Sequence, residues 1–314
     1  MARYTLDDIP NSVRLIHGLP QPDWSVIQPW IEARRQSKDE LLYDSVAADW
    51  LLRLADAMEP GLPVFEYPGL FVLIGPGVSG REEIAEQIER TYRLIGERIR
   101  LRRPDGVLHP GKSAAICFGS DDHYYSYLAA HYPEGEHIAS SGVQIRDGFC
   151  HVVVNWSTSK SIHVFAHEFV HLHVYGMELP LWMEEGLAQY FECIDSNPLA
   201  TAFELGWRDT HRKAWSGDRI QAFWDGTAFG ETEGETSRMA YQLSFLLVRA
   251  IVSRWPRRVV RWIENARCED AGAVATKSVL GQDLEKLVAG LLGPGAWTPN
   301  LQDMQVESDE AERR

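Results

Sequence analysis

Two histidines four residues apart, set within a strongly apolar segment, limit the possible folds of this chain more than any other feature. His167 and His171 belong to the sequence HEFVH, and the neighbouring residues are Ile, Val, Phe and Leu. Residues four apart lie on one face of an α-helix, with Cβ atoms roughly 5–6 Å apart. Both imidazoles can therefore reach one ion, and buried polar side chains need such a partner. The spacing predicts a metal-binding helix running from capping residues at 157–159 to Gly176, with Glu168 placed to accept a proton from metal-bound water.

A catalytic zinc ion takes three protein ligands and keeps a fourth position for water, so a second element must supply one ligand. The segment WMEEGLAQYFE (182–192) offers it. Thirteen residues separate His171 from Glu185, which leaves room for a turn and an antiparallel helix. Gly186 is small enough to allow close helix packing. The spacing alone admits either Glu184 or Glu185 as the third ligand.

HEFVH followed by WMEEGLAQYFE resembles the gluzincin metallopeptidases, particularly the aminopeptidase N-like group. The order of elements around these segments is similar to that of the broader peptidase MA-like proteins. The resemblance is specific over 150–192 and extends over 64–292. It implies that His167 and His171 bind zinc and that Glu168 is the general base.

The same resemblance assigns three further roles. Glu185 matches the family's glutamate ligand because it immediately precedes Gly186, and Glu184 does not. Glu192 matches a carboxylate that hydrogen-bonds a ligand histidine. Tyr241 is the candidate donor to the oxyanion, and the alternative for Tyr241 is a core tyrosine with its hydroxyl at the surface.

Two departures from the aminopeptidase N-like pattern affect the predicted activity. The spacing between His171 and Glu185 is shorter, and the G-x-M-E-N segment that binds a free amine is absent. SSGVQIRDG (140–148) lies where that segment would be expected. The sequence therefore favours an endopeptidase over an aminopeptidase, acting on a peptide or protein substrate. The strand Cys150–Trp156 is predicted to be an edge strand that pairs with this substrate.

Two alternatives belong to other functional classes. One is a catalytically silent protein that keeps the fold for binding or regulation, although such a protein would be expected to lose a ligand or Glu168. The other is a structural zinc site, which is usually closed by four ligands and favours cysteine. The four cysteines are scattered without a CxxC pair, at Cys117, Cys150, Cys193 and Cys268.

Charge and hydropathy exclude other classes of function. The formal net charge is −14, which argues against a protein that binds nucleic acid through a basic face. No apolar run is long enough for a membrane span, and the N-terminus does not read as a secretory signal. The expected location is cytoplasmic, and the sequence does not set an oligomeric state.

The predicted fold class is α+β, with a mainly helical, zincin-like catalytic domain preceded by a small α/β sheet unit. The expected division is a helical N-terminal segment, an α/β unit with an edge strand, a helical zinc domain and a disordered acidic tail, at 1–60, 61–156, 157–298 and 299–314. Apolar periodicity predicts helices at 22–36, 38–58, 81–100, 121–132, 237–255, 257–268 and 282–292. Strands are predicted at 64–75 and 113–119, with a hairpin at 143–156. Residues 198–236 are predicted to be irregular.

Overall fold

The computed structural model describes residues 4–34, 39–101, 111–135, 140–146, 148–159, 162–193, 206–230 and 234–300. The fold is α+β and mainly helical, as predicted, with one two-stranded and one five-stranded sheet. The chain divides into two compact units. The first comprises Met1–Ile95 and Asp105–Leu172, and the second comprises Gly96–Pro104 and His173–Arg314.

The N-terminal part of the first unit contains a hairpin that the sequence did not reveal. Its strands β1 (Val13–Ile16) and β2 (Leu19–Pro22) are antiparallel and turn at His17 and Gly18, which both have positive φ. The predicted helices follow as α1 (Trp24–Glu32) and α2 (Asp39–Met58). The apolar stripe of α2 enters the core of this unit, where Val46, Trp50, Leu51 and Leu54 are fully buried.

The five-stranded sheet forms the centre of the first unit. Its strands are β3 (Val64–Tyr67), β4 (Leu70–Ile74), β5 (Ser113–Phe118), β6 (Gly142–Ile145) and β7 (His151–Asn155). Their order is β3-β4-β5-β7-β6, with β4, β5 and β7 parallel and each outer strand antiparallel to its neighbour. The predicted helices α3 (Arg81–Ile99) and α4 (Asp121–His131) lie between these strands in sequence. The predicted strands and the hairpin are confirmed, although its turn residue Asp147 lies outside the described residues.

The prediction that 150–156 forms the edge strand is wrong. Strand β7 has β5 on one side and β6 on the other, so the edge is β6. All residues of both β6 and β7 are buried, so the pairing pattern, and not burial, identifies the edge strand. The hairpin places its first strand outermost, and this order depends on pairing with β5, which local sequence does not encode.

The predicted metal-binding helix is shorter than expected. Trp156–Ser159 forms a short helix, α5, where capping residues were predicted, and α6 begins afterwards at Ile162 and ends at Val174. Gly176 follows with a φ of +77°, the left-handed conformation that commonly ends a helix.

The second unit is built on two helices in close contact. The first is α7 (Leu181–Glu192), which lies in the segment predicted to supply the third ligand. The second is a 20-residue helix from Glu235 to Arg254, where a helix was predicted at 237–255. Gly186 makes this packing possible. A Cβ atom at that position would lie 2.7 Å from both Ser244 O and Val248 Cγ2.

The prediction of irregular structure at 198–236 is wrong for the described part of that stretch. It contains α8 (Trp207–Ala214), α9 (Arg219–Trp224) and a 3-10 turn at Thr227–Phe229, and the long helix Glu235–Arg254 is therefore α10. Trp215 and Trp224 are each 1% exposed, so they belong to the core of the second unit. The frequent Gly and Asp residues mark the ends of short helices here, although such a composition is also typical of a continuous loop.

The remaining predicted helices are confirmed with shorter bounds. They are α11 (Val259–Asn265) and, after the short helix α12 (Ala273–Ala275) and a π-helical turn, α13 (Leu284–Leu292). The predicted disordered tail lies outside the described residues beyond Asn300. Among the described helices, none is both long and apolar enough to cross a membrane.

Candidate metal centre

Helix α6 has one buried apolar face and another face that carries histidines. Phe165 and Phe169 are fully buried and their rings lie 5.9 Å apart. His167 and His171 occupy another face, with ring centroids 5.0 Å apart. The four-residue spacing therefore places the two imidazoles side by side, as predicted for a shared ion.

Glu185 lies on the first half of α7, whose position is set by buried neighbours. Trp182 is fully buried and its indole donates a hydrogen bond to Ala271 O at 3.0 Å. Gly186, next to Glu185, lies against the backbone of α10. These contacts fix the position of the turn of α7 that carries Glu185.

The structure brings three of the predicted site residues together. One potential ligand atom from each of His167, His171 and Glu185 lies within 4.8 Å of the other two. Zinc bonds to nitrogen and oxygen of 2.0–2.1 Å correspond to donor separations of about 3.4 Å in a tetrahedron. Side-chain rotations that move the donor atoms by about 1 Å would close the group on such an ion, and two imidazoles with one carboxylate suit zinc. Glu184 is not a member of this group.

Glu168 lies beside the edge strand of the sheet. Its side chain is 8% exposed, and the strand approaches it through Gly142. A Cβ atom at Gly142 would lie 2.5 Å from Val164 Cγ1 and 3.1 Å from Glu168 Cγ. The absence of a side chain at Gly142 therefore lets β6 come close to the predicted general base.

Tyr124 contacts the segment that precedes β6 in the first unit. Its ring is fully buried, and its hydroxyl donates a hydrogen bond to Ser140 O at 3.0 Å. Burial raises the pKa of Tyr124, and the negative charge of Glu168 raises that pKa further. The phenol therefore stays protonated and continues to hold the start of the edge strand near Glu168.

Glu192 and Tyr241 lie on the helices of the second unit. Glu192 ends α7 and lies two helical turns after Glu185 on the same side of that helix. Tyr241 is half-buried on α10, and its ring contacts Phe229 edge-on with centroids 5.3 Å apart. It also lines a shallow cleft with Gly234, Glu235, Ser237 and Arg238. The roles predicted for Glu192 and Tyr241 rest on the resemblance alone.

Sequence reasoning did not identify Gly142 or Tyr124 as parts of the site. A glycine inside a strand often marks a close backbone approach, so SSGVQI contained a usable signal for Gly142. No comparable signal exists for Tyr124, because its contact with Ser140 depends on the fold.

The comparison with known families gives no match, and no curated protein matches the chain.

Proposed function

We propose that this protein is a zinc-dependent peptidase of the gluzincin type that hydrolyses internal peptide bonds. The observation that carries the proposal is the close grouping of His167, His171 and Glu185, with Glu168 following the first histidine. A bound zinc ion would polarise the scissile carbonyl and lower the pKa of the attacking water. The chain's own residues supply the remaining chemistry.

Glu168 is the proposed general base and, later, the general acid. It takes a proton from the attacking water and delivers it to the leaving amine, because one carboxylate within reach of both groups can perform both transfers. Its burial against β6 limits the directions in which the carboxylate can point. Tyr241 is the proposed donor to the oxyanion. Tyr241 lies one turn before Ser244, which faces Gly186, and therefore projects from the side of α10 that meets α7.

Strand β6 is the proposed binding edge for the substrate backbone. Asn155 N donates to Ser141 O at 2.8 Å, so Ser141, Val143 and Ile145 form the hydrogen-bonded pairs with β7. By alternation, the backbone groups of Gly142 and Gln144 point away from β7. An extended peptide can add to this edge by strand pairing, which favours cleavage within a chain.

Turnover by the zinc-reconstituted protein and by a Glu168→Gln variant tests this proposal. A fluorescence-quenched peptide library supplies the substrate, and elemental analysis reports the zinc. The wild type is expected to cleave internal bonds, and the variant to keep its zinc but lose turnover by about 100- to 10,000-fold.

Two outcomes would contradict the proposal. Retained turnover in zinc-loaded Glu168→Gln would remove that residue from the mechanism. A zinc-loaded wild type that binds peptide hydroxamates but cleaves no member of the library would favour the catalytically silent alternative.

A further inference from the structure

The residue that follows the edge strand of the first unit has a basic side chain that is held in place by a buried amide. Arg146 Nε donates to Gln144 Oε1 at 2.9 Å, and Gln144 Nε2 donates to Cys150 Sγ at 3.0 Å. Gln144 is 7% exposed, whereas Arg146 is exposed. The amide therefore fixes the direction of a guanidinium group that remains accessible to solvent.

This guanidinium lies on the same face of the sheet as Glu168. Side chains two residues apart on a strand share a face, and Gly142 faces Val164 and Glu168 of α6. Gln144 continues that face along the strand, and Arg146, the first residue after the strand, is hydrogen-bonded to Gln144. Because Arg146 is bonded back to Gln144, its guanidinium lies near Gln144, about 7 Å along the strand from Gly142.

The backbone hydrogen bonds of β6 also indicate that Gln144 is the position where a peptide can pair. The Ser140 hydroxyl accepts a hydrogen bond from Gly142 N at 3.3 Å and donates one to Gly142 O. Gln144, whose backbone groups point away from β7, is thus the next position at which an extended peptide can pair. A peptide paired there would present side chains on the face where the guanidinium lies.

We propose that Arg146, oriented by Gln144, is a specificity subsite that selects substrates with an acidic side chain. The inference rests on the proposed peptidase function, because the position of the substrate is set by cleavage beside Glu168. An antiparallel peptide places its N-terminal side towards Arg146. The acidic residue is therefore the one that pairs with Gln144, two residues before the one that lies opposite Gly142, and the carboxylate meets the guanidinium in a charge-assisted hydrogen bond.

Binding of acetyl-tripeptide hydroxamates to the zinc-loaded protein tests the subsite without requiring turnover. Alanine peptides carry either Glu or its neutral isostere Gln at each of the three positions, and affinities are measured by calorimetry. Glu at the position two residues before the hydroxamate-bearing residue is expected to bind about fivefold more tightly than Gln. The Arg146→Gln variant is expected to lose this preference.

The exposed arginine Arg90 on α3 provides a matched control. Arg90→Gln removes the same charge and is expected to keep the preference for Glu. Equal binding of Glu and Gln by the wild type, or a preference that survives in Arg146→Gln, would overturn the subsite while leaving the metal centre intact. Failure of every hydroxamate, including the all-alanine peptide, to bind the zinc-loaded protein would overturn the peptidase proposal and the subsite with it.

Discussion

Each of the two units uses a glycine to bring a second element close to a glutamate of the candidate site, but the two glycines face different surroundings. Gly142 faces side-chain atoms of Val164 and Glu168, whereas Gly186 faces the backbone of Ser244. Side chains can rotate away from an added methyl group, and a helix backbone cannot. Gly142 therefore affects the position of a reactive group, whereas Gly186 allows two helices of the second unit to pack.

The largest expected effect is therefore a loss of stability in the Gly186→Ala variant. The added methyl group would lie 2.7 Å from Ser244 O, and the α7–α10 packing would have to open. We expect a loss of about 3 kcal/mol in the free energy of unfolding, measured by urea denaturation. Gly290→Ala is the matched control, because a Cβ atom there would meet nothing within 4 Å. Gly290 lies in α13, and its replacement is expected to add about 0.5–1 kcal/mol.

The second effect is on turnover, in Gly142→Ala. The methyl group would displace the Glu168 carboxylate or the edge strand, and displacements near 1 Å at a reacting group can cost about 100-fold in rate. We expect kcat to fall by about 10- to 100-fold while zinc content is unchanged, measured on the same peptide library. A loss of zinc equal to the loss of turnover would show that Gly142 supports the fold of the site as a whole.

The smallest effect concerns the acid sensitivity of the second unit. His211 is buried, accepts a hydrogen bond from Trp215 Nε1 at 3.2 Å and therefore donates through Nε2 to Gln242 Oε1. Burial lowers the pKa of His211 from 6.5, so below that pH the unfolded chain binds more protons than the folded chain. This histidine's contribution to stability is therefore present above pH 6.5 and is lost as the pH falls through the lowered pKa.

A His211→Gln variant measures that contribution. Urea denaturation of both proteins between pH 7.5 and pH 5 is expected to show a smaller acid-induced loss of stability in the variant than in the wild type. Parallel pH profiles would mean that His211 does not contribute to the acid sensitivity.

The parts of the molecule that local sequence determines were predicted, and the parts that depend on long-range pairing were not. Apolar periodicity was sufficient for α2, α3, α6 and α7, and a spacing of four residues was sufficient for the two histidines. The edge position of β6 depends on which strand pairs with β5, and local sequence does not distinguish the two strands of the hairpin in this respect.

The same distinction applies to the residues around the site. Glu185 could be selected over Glu184 only through the resemblance, and the grouping of the three ligand atoms favours the same choice. Gly142 contacts α6 and Tyr124 contacts Ser140 across distant parts of the sequence, whereas the Gln144–Arg146 hydrogen bond is local and only its position beside Glu168 depends on the fold. Their roles depend on the sheet order and the position of α6, and the sequence does not specify either directly.

Zinc binding by the matched pair Glu185→Gln and Glu184→Gln tests the metal centre most directly. Each variant replaces one carboxylate by an amide of the same size, and zinc content and affinity are measured by elemental analysis and competition with a chromophoric chelator. We expect one zinc ion per wild-type chain, unchanged binding in Glu184→Gln and a loss of at least about 100-fold in affinity in Glu185→Gln. Equal binding in both variants, or a folded wild type that takes up no zinc on reconstitution, would contradict the proposed centre.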